Sequence, residues 1–150
     1  LACSQPNNLT ARGEMLMAAL MGAVAFQKGL GITHSCAHAL STVFDLHHGL
    51  ANSLMLRACM NFNRVAVPER FSDMARMVGI YEEKHELAGN RFIAWIKELQ
   101  KEIGLDQSLG EYGVSINDRL LDVAYSDICH PLGPRSATRN DIKNLYEESL

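Results

Sequence analysis

No Cys-x-x-Cys pair occurs in this chain. Its four cysteines, Cys3, Cys36, Cys59 and Cys129, are scattered across 150 residues, which leaves no paired-thiol zinc or redox motif and points to free thiols in a reducing cytoplasm. Cys36 and Cys59 fall within apolar helical patterns, as small hydrophobes do. An excess of one charge is also missing. With 14 basic residues against 17 acidic ones, there is no electrostatic case for nucleic acid or an anionic membrane surface. No apolar run reaches the length of a membrane span, and the longest, Met15–Phe26, is short and broken by Gly22. The first residues show no basic stretch followed by a cleavage site. Internal repeats, low-complexity stretches and domain-dividing linkers are absent too. The length suits one domain with a real core.

Strand-like alternation is the last absence. Nearly every apolar segment has helical period, so the chain is expected to be all-α. A first helix is predicted from about Thr10 to Gln27, capped by Asn8 or Thr10, with Met15, Ala18, Ala19, Gly22 and Phe26 as its packed stripe. Gly29 and Gly31 then turn the chain into a short helix, His34–Phe44, with Ala37 and Leu40 buried. A second short helix is expected over His48–Asn63. Pro68 suits the first turn of the next, with Phe71, Met74, Ala75 and Val78 on one face and Gly79 closing it. Another, roughly Glu83–Glu102, is expected to bury Leu87, Phe92, Trp95 or Ile96, Leu99 and Ile103, with Gly104 as its stop. Leu105–Gly113 reads as a loop. Ser115 with Asp118 resembles a capping box for a helix to about Cys129, and Thr138 with Asp141 opens a final helix.

What the sequence does have is histidine, concentrated. Four of six, His34, His38, His47 and His48, lie in Gly29–Asn52, GLGITHSCAHALSTVFDLHHGLAN. On a helix, His34 and His38 project from one face. A reversal somewhere in Ser41–Asp45 would bring His48 back towards His34. Converging neutral imidazoles suit Zn or Fe(II). An i,i+4 pair is by itself more often structural than ligating, and two further histidines before Gly49 raise a metal site only to even odds. Cys36, two residues from His34, points to another side of a helix. Asn52 shares the face of His48 and is suited to tie down the neighbouring loop. His85 reads as part of a solvated first turn, and His130, before Pro131, as structural.

The run GLGITHSCAHAL followed by HHGLANSLML resembles the iron-containing (group III, metal-dependent) alcohol dehydrogenases, which carry a GxGxxHxxAH element and then an HGxxNA-like one. The similarity extends upstream to ARGEMLMAALMGAVAFQ and downstream through Asn61–Asn63 to Pro134–Thr138, nearly the whole chain. The resemblance implies a multi-helix bundle of the dehydroquinate synthase-like type. It implies that His34 and His48 ligate the metal and that His38 lies beside nicotinamide and substrate without ligating. His47 matches no role. In the family an upstream Asp and His, four apart, complete the site, and a nucleotide domain lies earlier still. Neither precedes Leu1, so the chain is expected to be a fragment, the metal-binding half of an NAD(P)-dependent enzyme acting on a small primary alcohol or diol and its aldehyde. The fragment alone is expected to be inactive and to self-associate through the apolar surface it exposes. The family often forms dimers or larger homo-oligomers. Two other readings stand beside this one: a metal-free relative reducing an activated ketone, disfavoured by the presence of both His34 and His48, and a free-standing helical metal-binding or interaction module. Substrate, Fe(II) against Zn, and NAD against NADP are not encoded here.

Overall fold

A computed structural model describes residues 1–150, and the chain divides into two compact units, Leu1–Leu30 and Gly31–Leu150. All regular structure is helical, as the periodicity predicts.

The first unit is built on one helix, α1 (Leu9–Phe26). Asn8 caps it, its side-chain oxygen accepting from the Ala11 N–H at 3.0 Å, which satisfies one of the donors a helix start leaves free. The predicted stripe is not buried. Ala11 is the only buried residue of α1, and Met15, Leu16, Met17, Leu20, Met21, Val24 and Phe26 are all exposed. Apolar side chains surround the helix, so no single face is distinguished, and the unit Leu1–Leu30 holds no second helix to cover one. The helix begins six residues before the apolar run, and its 18 residues, with mean hydropathy 1.3, meet the length and composition of a membrane span and nothing more.

The second unit holds α2 (Ile32–Phe44), α3 (His48–Arg64), α4 (Pro68–Met77), α5 (His85–Glu102), α6 (Asp118–Ser126) and α7 (Arg139–Glu147). Helix α2 is its centre and packs against α3 and α6, while α3 also meets α5 and α7. Small residues make that centrality possible. Cys36, Ala37 and Ala39 on α2, with Ala51, Ala58 and Cys59 on α3, are buried where the helices approach. Leu40, Met55, Leu120, Ile142 and Tyr146 fill the remaining space and are fully buried, each such side chain contributing roughly 1.5–3 kcal/mol. A smaller core joins α4 to α5 through Phe71, Ala75, Ala88, Phe92 and Ile93. Gly89 lets the helices approach closely there: a Cβ at that position would sit 3.3 Å from the Phe71 Cβ, a tight contact.

Helix α5 occupies the expected span, but its buried face is rotated. Ala88, Gly89, Phe92, Ile93 and Gln100 are inside, whereas Leu87, Trp95, Leu99 and Ile103 are exposed. The apolar pattern admits both stripes, and the close approach at Gly89 selects the one with small residues. Gln100 is buried because its amide donates to the backbone oxygen of Ser53 at 2.7 Å and to that residue's hydroxyl at 2.9 Å. Two other local expectations need correction. Asn117, not Ser115, caps α6, accepting from the Leu120 N–H, and α6 ends at Ser126 because Asp127 is extended. The segment Leu105–Gly113 contains a 3-10 turn, Leu109–Tyr112, closed by a Ser108–Glu111 capping box.

Candidate metal centre

The backbone between α2 and α3 positions the histidines. Helix α2 runs to Phe44, so the reversal falls at Asp45–His47, slightly beyond the expected Ser41–Asp45. Asp45 makes it possible by adopting the left-handed conformation, φ 55°, which Asp tolerates better than most side chains. His47 is the N-cap of α3 without a side-chain capping bond, exposed and outside the cluster. His48 therefore opens α3 and returns to α2.

Three imidazoles meet there. Ring centroids are 5.5 Å apart for His34 and His48, 5.9 Å for His34 and His38, and 5.2 Å for His38 and His48. Two imidazoles bound to one tetrahedral cation at normal metal–nitrogen lengths have centroids roughly 5 Å apart, so the His34–His48 pair fits a shared ion. Burial first, and then the charges of His48 and His38, lower the His34 pKa, with Asp127 partly offsetting them. The neutral imidazole, which is the ligating form, is thereby favoured. His48 is exposed at the start of α3, but its ring is held. The Asn52 amide nitrogen lies 3.0 Å from Nε2 and donates to the His48 carbonyl at 3.0 Å. Asn52 thus secures the histidine rather than the neighbouring loop. Its Oδ1 is buried without a hydrogen-bond partner.

Asp127 is the residue that sequence reasoning missed. Its Oδ2 is 2.9 Å from His38 Nδ1, and its Oδ1 accepts from the Cys129 N–H at 2.8 Å and from the Ser35 hydroxyl at 3.3 Å. Burial opposes ionisation of Asp127, but the Cys129 N–H, the His38 ring and the Cys129 thiol outweigh it and hold the carboxyl below its usual range. Burial, and then the bond to and charge of Asp127, push the Cys129 thiol up. His38, Asp127 and Cys129 place one potential ligand atom each within 4.8 Å of one another. The Nδ1–Oδ2 separation nevertheless marks a hydrogen bond, since two ligand atoms on one tetrahedral ion stand roughly 3.3 Å apart. Eighty-nine residues separate the two partners, so no spacing rule links them. The one local signal is an Asp two residues before a Cys at a helix end, the pattern of an Asx turn.

The other singled-out histidines lie elsewhere. His130 Nε2 is 2.8 Å from the Ala137 carbonyl, and its ring lies against Tyr125, the structural part expected of it. His85 starts α5, exposed.

Comparison with known proteins places this geometry. Over residues 1–150 the chain matches the model of the Fe-containing alcohol dehydrogenase family, C-terminal. It is 32% identical to the NAD-dependent methanol dehydrogenase of Bacillus methanolicus, over 99% of this chain and 40% of that protein. It is likewise 32% identical to the lactaldehyde reductase of Escherichia coli (strain K12), over 89% of this chain and 36% of that one. A crystal structure of 1,3-propanediol oxidoreductase superposes with a TM-score of 0.93 at 30% identity, covering 99% of this chain and 40% of that one. The chain therefore spans about two fifths of the length of these relatives. It belongs, over its whole length, to the C-terminal part of the Fe-containing alcohol dehydrogenase family.

Proposed function

We propose that this chain is the metal-binding half of an NAD(P)-dependent alcohol dehydrogenase that interconverts a small primary alcohol or diol and its aldehyde. The observation that carries the proposal is the convergence of His34, His38 and His48 at the α2–α3 turn. His34 and His48 are the metal ligands supplied by this chain, and Fe(II) or Zn suits the imidazole donors. When bound, the cation supplies Lewis acidity towards the alcohol or aldehyde oxygen, and nicotinamide supplies hydride chemistry. Burial, and then the charges of His48 and His38, lower the His34 pKa and so favour the neutral, ligating ring. Asn52 holds the His48 ring in place, its amide nitrogen 3.0 Å from Nε2, so that His48 would be positioned to hold a cation. His38 stands beside nicotinamide and substrate as the proton relay, since its Nδ1 is engaged and its Nε2 remains for exchange.

Two histidines are fewer than the three protein ligands a catalytic site takes, and these 150 residues contain no glycine-rich phosphate turn. The chain alone is therefore expected to be inactive, and the activity to belong to the longer protein, as a homo-oligomer. Four free thiols, three of them buried, suit a cytoplasmic setting. The test uses the longer protein. His34→Ala and His48→Ala should each cut bound metal by at least about tenfold and abolish alcohol oxidation, whereas His38→Ala should keep the metal and lose turnover. Full metal content in both ligand variants would refute the assignment.

A further inference from the structure

We propose that Asp127 is a positioning residue for the reaction, fixing His38 as the tautomer with its proton on Nδ1 so that Nε2 faces the substrate as a proton acceptor. The inference rests on the relay reading of His38 given above. Its independent support is geometric. A carboxylate can only accept. Oδ2 at 2.9 Å from Nδ1 therefore calls for a proton on Nδ1, and in the neutral ring that leaves the Nε2 lone pair free.

The carboxylate is itself held in register. The Cys129 N–H and the Ser35 hydroxyl both bond Oδ1, while Oδ2 faces His38 Nδ1. Ser35 neighbours His34 on α2, and Asp127 follows α6. The contact therefore ties the two helices that flank the histidine cluster, and the ring is oriented by groups from both. The Asp127 side chain is 16% exposed and that of His38 36%. The acceptor is thus shielded while the imidazole keeps an open side. Cys129, buried beside Asp127, remains a thiol and takes no part in the exchange.

During alcohol oxidation the C–H bond breaks, with its hydride going to the nicotinamide, which is reduced. The O–H bond breaks with its proton going to His38 Nε2, and the C=O bond forms. Nε2 then returns the proton to solvent. Aldehyde reduction runs the same transfers backwards, with Nε2 as donor.

Asp127→Asn is the decisive variant. Its Oδ1 can still accept from Cys129 and Ser35, while an N–H donor replaces the acceptor facing Nδ1 and forces the proton to Nε2. The longer, metal-free protein is labelled with 15N-histidine, and the His38 ring signals are assigned through His38→Ala. The native protein should show the proton on Nδ1 and Asp127→Asn should show it on Nε2. With metal restored, kcat of Asp127→Asn should fall by about 10²-fold or more, with KM changed much less and metal content unchanged. Asp127→Glu should recover part of kcat. A native His38 protonated on Nε2, or an unchanged tautomer in Asp127→Asn, overturns the proposal. If the tautomer switches but His38→Ala keeps full turnover, Asp127 still positions the ring and it is the relay reading that fails.

Discussion

The Tyr146 hydroxyl donates to the backbone carbonyl of Cys36 at 2.9 Å, across 110 residues and with both partners buried. This bond fastens the last helix to the middle of α2, two residues from His34 and His38 alike. Burial first, and then the Cys36 and Cys59 thiols and the bond to Cys36, raise the Tyr146 pKa far above its ordinary value, so the hydroxyl stays a donor throughout the range in which the protein is handled. Tyr146→Phe keeps the ring packing and removes only the donor. The variant should lose about 1 kcal/mol in urea unfolding of the longer protein, with no dependence on pH near neutrality. A loss that grew steadily between neutral and mildly alkaline pH would contradict the buried, un-ionised hydroxyl.

Helix α7 gives a pH-dependent counterpart. Thr138 and Asp141 form a reciprocal capping box, with Asp141 Oδ2 accepting from the Thr138 N–H at 2.8 Å and from its hydroxyl at 2.7 Å. The Thr138 hydroxyl, then its N–H, hold the Asp141 carboxyl below its usual range, against a smaller opposing effect of burial and with help from Arg135. A carboxyl depressed in the folded state binds protons less readily than in the unfolded chain. Its stabilisation is therefore complete above the unfolded value, about pH 4, and is lost as pH falls through the lower folded value. Asp141→Ala should cost about 0.5–1 kcal/mol at pH 7, and the gap to the native protein should close on acidification below about pH 4. Parallel denaturation curves at several pH values measure it. A gap that widened in acid would reverse the sign argued here.

These two contacts also mark what could be seen in the sequence. The Thr138–Asp141 box is local chemistry, three residues apart, and is found where expected. The same holds for Gly79 and Gly104, which end their helices at positive φ. Helix period and one reversal suffice to bring His48 back towards His34, and their rings do meet. Beyond the cap of α6, which is Asn117 and not Ser115, and the exposed stripe of α1, what failed was set by an unseen neighbour. The face that α5 buries is the one where Phe71, on another helix, comes close to Gly89. Asp127 escaped notice because its partner is 89 residues away and a single Asp has no period. Tyr146 was invisible as an anchor for the same reason. Local rules locate caps, stops and same-face pairs, while long-range polar contacts between single residues leave no pattern along the chain.

Helix α1 is where composition and exposure conflict most. Leu16 is 73% exposed and Leu20 57% exposed, one turn apart and flanked by Met17, Met21 and Val24, which are also exposed. A contiguous apolar surface of that kind is rarely left open to water, because each large side chain gains on the order of 1.5–3 kcal/mol when covered. The 150-residue chain expressed alone should therefore self-associate, and sedimentation across a wide concentration range should show its average mass rising with concentration. Leu16→Glu combined with Leu20→Glu places two charges in the middle of that surface and should shift the same chain towards monomer without altering the helical circular dichroism of residues 31–150, whose cores do not include α1. Neither form should oxidise a primary alcohol with NAD(P), since each chain supplies only the His34–His48 pair and no phosphate-binding turn. A native chain that stayed monomeric at high concentration would show that the exposed leucines and methionines drive nothing by themselves, and measurable turnover would show that the two histidines suffice.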